Sequence, residues 1–270
     1  MKPEVLELLA KFQGMPFNAS SVHSYGREGR KYIEQARRQI AALCGADANN
    51  VIFNSGATEG NNTVLKHFTG QKIAVSAIEH PSVLEPRPDS LKIPVTKNGI
   101  IDLEALESLC AREKPALVSA MLINNETGII QPAAKISKIA RKYGAYYHCD
   151  AVQAAGRIPL NIMDLGIDFM TLSAHKIAGP QGIGALILGL CGETPTLLEG
   201  GGQEKKARAG TENVAGITGF GRAAELALQN IAEYQKLSEF RDRLEKNITQ
   251  IFPNAKLHGL DGPRAANTTL

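Results

Sequence analysis

The pattern that most limits how this chain can fold is a recurrence of short apolar runs, each closed by a polar or Gly-rich turn. Val51 to Asn54, Ile73 to Ala77, Leu91 to Val95, Leu117 to Ile123, the run ending at Asp150, Phe169 to Leu172 and Ala185 to Leu188 all read as buried strands. Amphipathic helical stretches separate them, among them Asp102 to Arg112, opened by an Asp cap, and Ala133 to Tyr143, with a basic face. Parallel strands need a crossover of a dozen or more residues, usually a helix. The alternation therefore predicts an α/β fold, a mainly parallel sheet with helices on both faces.

The flanks read as helix. Val5, Leu6, Leu8, Leu9 and Phe12 share one face of a short helix within residues 1–13, stopped by Gly14, Pro16 and Asn18. Arg27 to Leu43 forms a second, ending at Gly45. Beyond the last strand, Gly200, Gly201 and Gly202 open a loop that runs through Glu204, Arg208 and Thr211. One long helical stretch from Val214 to about Ile251 then leaves the sheet, bounded by Pro253.

Open α/β sheets bind ligands at the carboxyl ends of their strands, so the residues that end each run carry the chemistry. In DFMTLSAHKIAGPQGIG, Lys176 follows a strand and precedes a turn containing Gly179, Pro180, Gly182 and Gly184. Sealing a strongly hydrated ammonium under that turn costs free energy unless the amine has a task, such as a Schiff base to an aldehyde cofactor. Strand alternation places Ser173 and His175 to one side of it, as donors suited to a phosphate. Pyridoxal 5'-phosphate (PLP), an aldehyde bearing a phosphate, meets both requirements; a solvated loop lysine is the alternative. Asp150, at the end of the preceding strand, suits a pyridinium nitrogen, which needs a carboxylate to stay protonated. Strand-end aspartates also serve as helix caps.

Other strand ends supply further candidates, each with a plainer reading. Ser55-Gly56-Ala57-Thr58 opens a helix whose first N–H groups suit an anion, or forms an ordinary turn capped by Ser55 or Thr58. His80 either stacks on a cofactor ring and moves protons or is a surface histidine. Asn125 reaches a phenolic oxygen or only shapes a turn with Glu126 and Gly128. Gln153, three residues past Asp150, is close enough to share its ligand.

Composition removes several classes. The 30 basic and 27 acidic residues leave a formal charge of +3, and the basic clusters at Arg27 to Lys31 and Lys205 to Arg208 are short, so no nucleic-acid partner is expected. No apolar run approaches a membrane span. Glu4 and Glu7 interrupt the N-terminus where a targeting peptide avoids acids. Cys44, Cys110, Cys149 and Cys191 lie far apart without metal-ligand spacing, which predicts a reducing, cytoplasmic setting and no metal. Alternation turns Cys149 away from the face of Asp150 and into the core.

Taken in order, SGATEGNN, IEHPSV, NNETG, HCDAVQ, SAHKIAGPQGIG and GGGQEKKARAGT resemble the PLP-dependent cysteine desulfurases of the fold-type I, class V aminotransferase group, over roughly residues 20 to 215. The resemblance implies a PLP-binding large domain at 13–231, with 1–12 and 232–270 as an incomplete small domain and linking helix. It makes Lys176 the Schiff-base lysine, Asp150 the pyridine-nitrogen partner and His80 the ring-stacking proton carrier. Asn125 and Gln153 hold the phenolic side, Thr58, Ser173 and His175 the phosphate, and Ala57 is a further cofactor-binding residue. Thr211 reaches the phosphate of a neighbouring subunit, which implies a homodimer.

The implied activity takes sulfur from L-cysteine, leaving alanine and an enzyme persulfide for an iron–sulfur scaffold or other acceptor protein. The family's nucleophilic cysteine and carboxylate-binding arginine lie further along than Leu270, and none of the four cysteines stands in a matching position. The Ala-Thr-Thr strand that precedes the family's first helix is also absent, and the stretch from His80 to Gly99 is shortened. A selenocysteine lyase, a cysteine sulfinate desulfinase, an aminotransferase, or a non-catalytic partner of a complete desulfurase are the other readings.

Overall fold

A computed structural model describes residues 1–12, 14–189 and 192–270, so Cys191 and the expected domain boundary at residue 13 lie outside the described residues. Seven strands, β1 (Val51–Asn54), β2 (Ile73–Ser76), β3 (Leu91–Ile93), β4 (Leu117–Ser119), β5 (Tyr146–Asp150), β6 (Phe169–Ser173) and β7 (Gly184–Leu188), form one sheet in the order β1-β7-β6-β5-β4-β2-β3. The pairings β3–β2, β2–β4, β4–β5 and β5–β6 are parallel. Strand β7 runs antiparallel to both β6 and β1, so β1 is parallel to the rest. The carboxyl ends of β1, β2, β4, β5 and β6 therefore meet along one edge, as the α/β expectation requires.

Helices cover both faces: α1 (Pro3–Phe12), α2 (Ser24–Cys44), α3 (Ala57–His67), α4 (Pro81–Leu84), α5 (Leu103–Glu113), α6 (Ala133–Lys142) and α7 (Val214–Gln229), followed by α8 (Ile231–Gln235) and α9 (Leu237–Ile251). Side chains alternate across the sheet with the period of two expected of strands. Phe53, Tyr147, Cys149, Met170 and Leu172 pack with Val5, Ile33, Leu106, Ile136 and Ile217 of α1, α2, α5, α6 and α7. Ile52, Val75, Leu117 and Phe169 pack on the other face with Val64 and Leu65 of α3 and Val83 of α4. Asp150, two residues beyond His148 on β5, lies on the α3 face, opposite Cys149.

Three glycines show how closely these layers approach. Gly45 closes α2 in the left-handed region, and its N–H returns to the Ala41 carbonyl. A Cβ on Gly60 of α3 would stand 2.9 Å from the Thr171 methyl of β6, and one on Gly184 of β7 would stand 2.7 Å from Gly56 Cα. Both small residues let the β1–α3 turn settle onto the sheet edge.

The structure corrects four local expectations. Leu6 is exposed, although its neighbours Val5 and Phe12 are buried. The final helical stretch is three segments, closing at Asn230, where the side-chain amide donates to Leu226 O at 2.6 Å, and again around Lys236. The run Leu117 to Ile123 pairs as a strand only to Ser119. Ala120 and Leu122 still donate to His148 O and Asp150 O, but β2 has turned away and offers Met121 no carbonyl. Finally, neither Ser55 nor Thr58 caps α3: Gly56 is the N-cap, with no side-chain bond to the helix start.

Candidate active site

The sheet edge where these strand ends converge holds a cavity of about 540 Å³. Nine of the ten expected site residues line it: Ala57 and Thr58 from the start of α3, His80 after β2, Asn125 after the β4 run, Asp150 and Gln153 after β5, and Ser173, His175 and Lys176 after β6. Thr211 does not. It is exposed and lines an adjoining cavity of about 190 Å³ that shares Ser55 and Gly182 with the first.

Lys176 sits in a 3₁₀ turn, Ala174–Ile177, whose left-handed cap residue Ala178 returns its N–H to Ala174 O. The expectation that the Gly/Pro turn seals this lysine is overturned. Its side chain is exposed toward the cavity, because the tight turn rotates it off the strand axis. Among the described residues no hydrogen bond or ion pair engages its amine. Beside it, Ser173 Oγ lies 2.9 Å from His175 Nδ1, and burial together with the Lys176 charge lowers the His175 pKa.

Asp150 is buried and aimed at the same space. Its Oδ2 accepts from Asn61 Nδ2 at 2.8 Å and its Oδ1 from the Val152 N–H at 3.0 Å. Burial pushes its pKa above the ordinary carboxylate range, against those bonds and against the charges of His80 and Lys176. Two neutral donors hold the carboxylate without neutralising it. A cationic N–H in the cavity would favour its ionised form.

His80 caps α4. Its Nδ1 accepts from the Ser82 N–H at 3.1 Å and lies 2.8 Å from Ser82 Oγ, which fixes the ring. Asn61 Nδ2 also donates to Ser82 Oγ, at 2.9 Å, so one amide joins the His80 turn to Asp150. Asn124 shapes the next wall, its Oδ1 accepting from Glu126 N and Thr127 N and its Nδ2 donating to Ile78 O, which leaves Asn125 on the cavity side. At the start of α3, an uncapped helix N-terminus faces the cavity through Ala57, Thr58 and Glu59. Free N–H groups and the positive end of the helix dipole together suit a phosphate.

A family model for class V aminotransferases matches residues 1–269. The chain belongs to the class V aminotransferase family. It is 41% identical to a protein of Dictyoglomus turgidum named cysteine desulfurase IscS, over 98% of this chain and 70% of the relative. It is likewise 41% identical to a cysteine desulfurase of Sinorhizobium fredii, over 98% of this chain and 73% of that one. Among solved structures, a NifS-like protein from Rickettsia africae superposes with a TM-score of 0.95 at 41% identity, covering all of this chain and 77% of its own. A second NifS-like protein gives 0.90 at 32% identity, covering 98% and 77%. The fold is that of these fold-type I enzymes, and the chain is cysteine desulfurase-like.

Sequence reasoning passed over Asn61, Ser82 and Glu79, although the first lies in SGATEGNN and the other two in IEHPSV. They make no isolated signal, since their roles depend on contacts between separate motifs. In the loop at 200–213 two charged side chains are already paired. Arg208 is committed to Glu59, Nε to Oε1 at 2.8 Å, and Glu204 forms a buried ion pair with Arg37.

Proposed function

We propose that this chain binds PLP in the 540 Å³ cavity and acts on L-cysteine. The observation that carries the reading is the convergence there of an unengaged lysine, a buried carboxylate and an uncapped helix N-terminus. Lys176 would hold the aldehyde carbon and Asp150 the ring nitrogen. His80 would lie against the ring, and Asn125 and Gln153 by its phenolic oxygen. Ala57, Thr58, Ser173 and His175 would take the phosphate. The donor set fits: the buried Asp150 needs a cationic partner, and α3 offers unused N–H groups to an anion. When bound, PLP supplies an electron sink for the electrons released at the substrate Cα. Lys176 would serve as the base toward that carbon, and the His80 ring, tethered through Nδ1, would keep Nε2 for proton transfer.

We extend the reading to a homodimer in which Thr211 serves the neighbouring subunit's phosphate, supported by its exposed position outside the main cavity. Residues 13–231 then form the PLP-binding domain, with 1–12 and 232–270 belonging to a second, smaller one. The sulfur acceptor is a protein such as an iron–sulfur scaffold, and the setting is cytoplasmic. Among the described residues no helix is long and apolar enough to cross a membrane.

Cys44, Cys110 and Cys149 are buried, and none lines the cavity. Burial pushes Cys44 up to about 12, Cys110 up to about 11 and Cys149 higher still, so none offers a thiolate to substrate sulfur. Among the described residues no cysteine thiolate therefore faces the cavity; a second reading is a cofactor-binding partner that dimerises with a complete desulfurase. Reconstitution with PLP, followed by borohydride reduction and peptide mapping, tests the first reading. Covalent label on Lys176, lost in Lys176→Ala together with the yellow colour, supports it; a wild-type protein that takes up no PLP overturns it. Alanine release by the chain alone separates enzyme from partner.

A further inference from the structure

Glu79 is a buried acid for which neither the lysine nor the carboxylate assigned above has a use. It lies between β2 and His80, is 6% exposed, and carries a fully buried Oε2 with no hydrogen-bond partner. Its Oε1 accepts from the Ser76 hydroxyl at 2.5 Å and from the Met121 N–H at 2.7 Å. That second bond stands where a strand partner is missing. Beyond Ser119 the chain still pairs with β5, but β2 has ended, and the Glu79 carboxyl replaces the absent carbonyl for Met121, itself a cavity residue. Two residues that line the cavity, His80 and Met121, are thus held at one spacing by one side chain.

We infer that Glu79 is a positioning residue of the site: its carboxyl ties the end of β2 to the run after β4 and so sets the spacing of His80 and Met121 at the cavity wall. This rests on the PLP reading for its functional meaning. The groups that face Glu79 are Ser76 and the Met121 N–H, with Asp150, Tyr147 and Cys149 from β5 acting on it or sensing its charge. Among the described residues no cationic group offsets it. Burial first, then the Asp150 charge, raises it to about 8 in spite of its two donors. A second ionised carboxylate beside Asp150 would compete for the ring N–H and push the two strand ends apart.

Glu79→Gln keeps the Oε1 acceptor and fixes the neutral state, whereas Glu79→Ala removes the tie. PLP affinity at pH 7, read by absorbance titration, is expected to stay within about twofold for Glu79→Gln and to weaken about tenfold or more for Glu79→Ala. Urea unfolding of the PLP-free protein supplies a readout independent of the cofactor. The folded acid keeps its proton up to about 8 while the unfolded one loses it near 4.5. Between those limits the unfolding constant of wild type should rise relative to Glu79→Gln by about tenfold per pH unit, and level off above. Equal weakening of PLP binding in both variants, or a wild-type to Glu79→Gln ratio that is flat with pH, overturns the inference. If Glu79→Ala does not fold, the Glu79→Gln pH series decides alone. If wild type takes up no PLP, the cofactor reading fails while that series still judges the proton on Glu79.

Discussion

The loop at 200–213 is anchored by a buried ion pair, and removing it should cost more than any surface substitution. Arg37 of α2 and Glu204 have side chains 4% exposed each. Their atoms meet twice, Nη1 to Oε2 at 2.8 Å and Nη2 to Oε1 at 2.9 Å, and Glu204 Oε2 also accepts the Phe53 N–H of β1 at 2.8 Å. Glu204→Ala leaves Arg37 with the Val51 carbonyl and Glu34, whose side chain is 46% exposed. Stranding a buried charge costs about 3–5 kcal/mol. The orphaned Phe53 N–H adds about 1–3 kcal/mol.

An opposing effect comes from the backbone. Glu204, Lys205 and Lys206 all have positive φ, at 43°, 59° and 68°, a conformation that costs a non-glycine residue about 1–2 kcal/mol. A loop released by Glu204→Ala recovers part of that strain, so a net loss of about 3–4 kcal/mol is expected from these terms. Urea denaturation followed by circular dichroism gives the loss, and limited proteolysis should find new cleavage within 200–213. The double variant Arg37→Met with Glu204→Met removes both charges and should recover much of the loss. A cost below about 1 kcal/mol for Glu204→Ala, or a double variant no more stable than the single, would refute the reasoning.

Other outcomes follow from the same geometry. Lys205→Gly should stabilise the folded chain by about 1 kcal/mol in urea denaturation, since glycine adopts the left-handed region freely. Native protein treated with a maleimide at pH 8 should leave Cys44, Cys110 and Cys149 unlabelled by mass spectrometry, because their thiols are buried and shifted upward. His148 bridges Ser119 Oγ and Thr171 Oγ1, and burial lowers it to about 3. The unfolded state therefore takes up a proton below about 6.5 that the folded state refuses, and stability should fall as pH drops from there toward 3; His148→Gln should flatten that slope in acid titration. Asn61→Ala should weaken PLP binding by about tenfold in an absorbance titration, by releasing both Asp150 and the His80 turn; unchanged affinity would remove Asn61 from the site.

Much of the site could be read from strand ends because a strand that stops at Asp150 or Ser173 delivers the next few side chains to the same sheet edge in any parallel arrangement. The limits of two helices were likewise local: Gly45 closes α2 and Asp102 opens α5 through their own backbone and side-chain bonds. Lys176 was harder, because whether an amine beneath a Gly/Pro turn is covered or exposed depends on the 3₁₀ turn that rotates it. The break at Asn230 was hidden for a similar reason, since helical periodicity continues through it.

By itself, the sequence determined the class of fold, the order of elements and the strand ends that bear the lysine and the acid, all consequences of hydrophobic period and turn chemistry acting within a few residues. Only the tertiary structure decided that β7 runs backward between β6 and β1, bringing the start of α3 to the cavity. It alone joined Asn61 to Asp150 across 89 positions and Glu79 to Met121 across 42. Such pairings are chosen by which buried donors and acceptors must satisfy one another once the sheet has closed. No local pattern carries that choice.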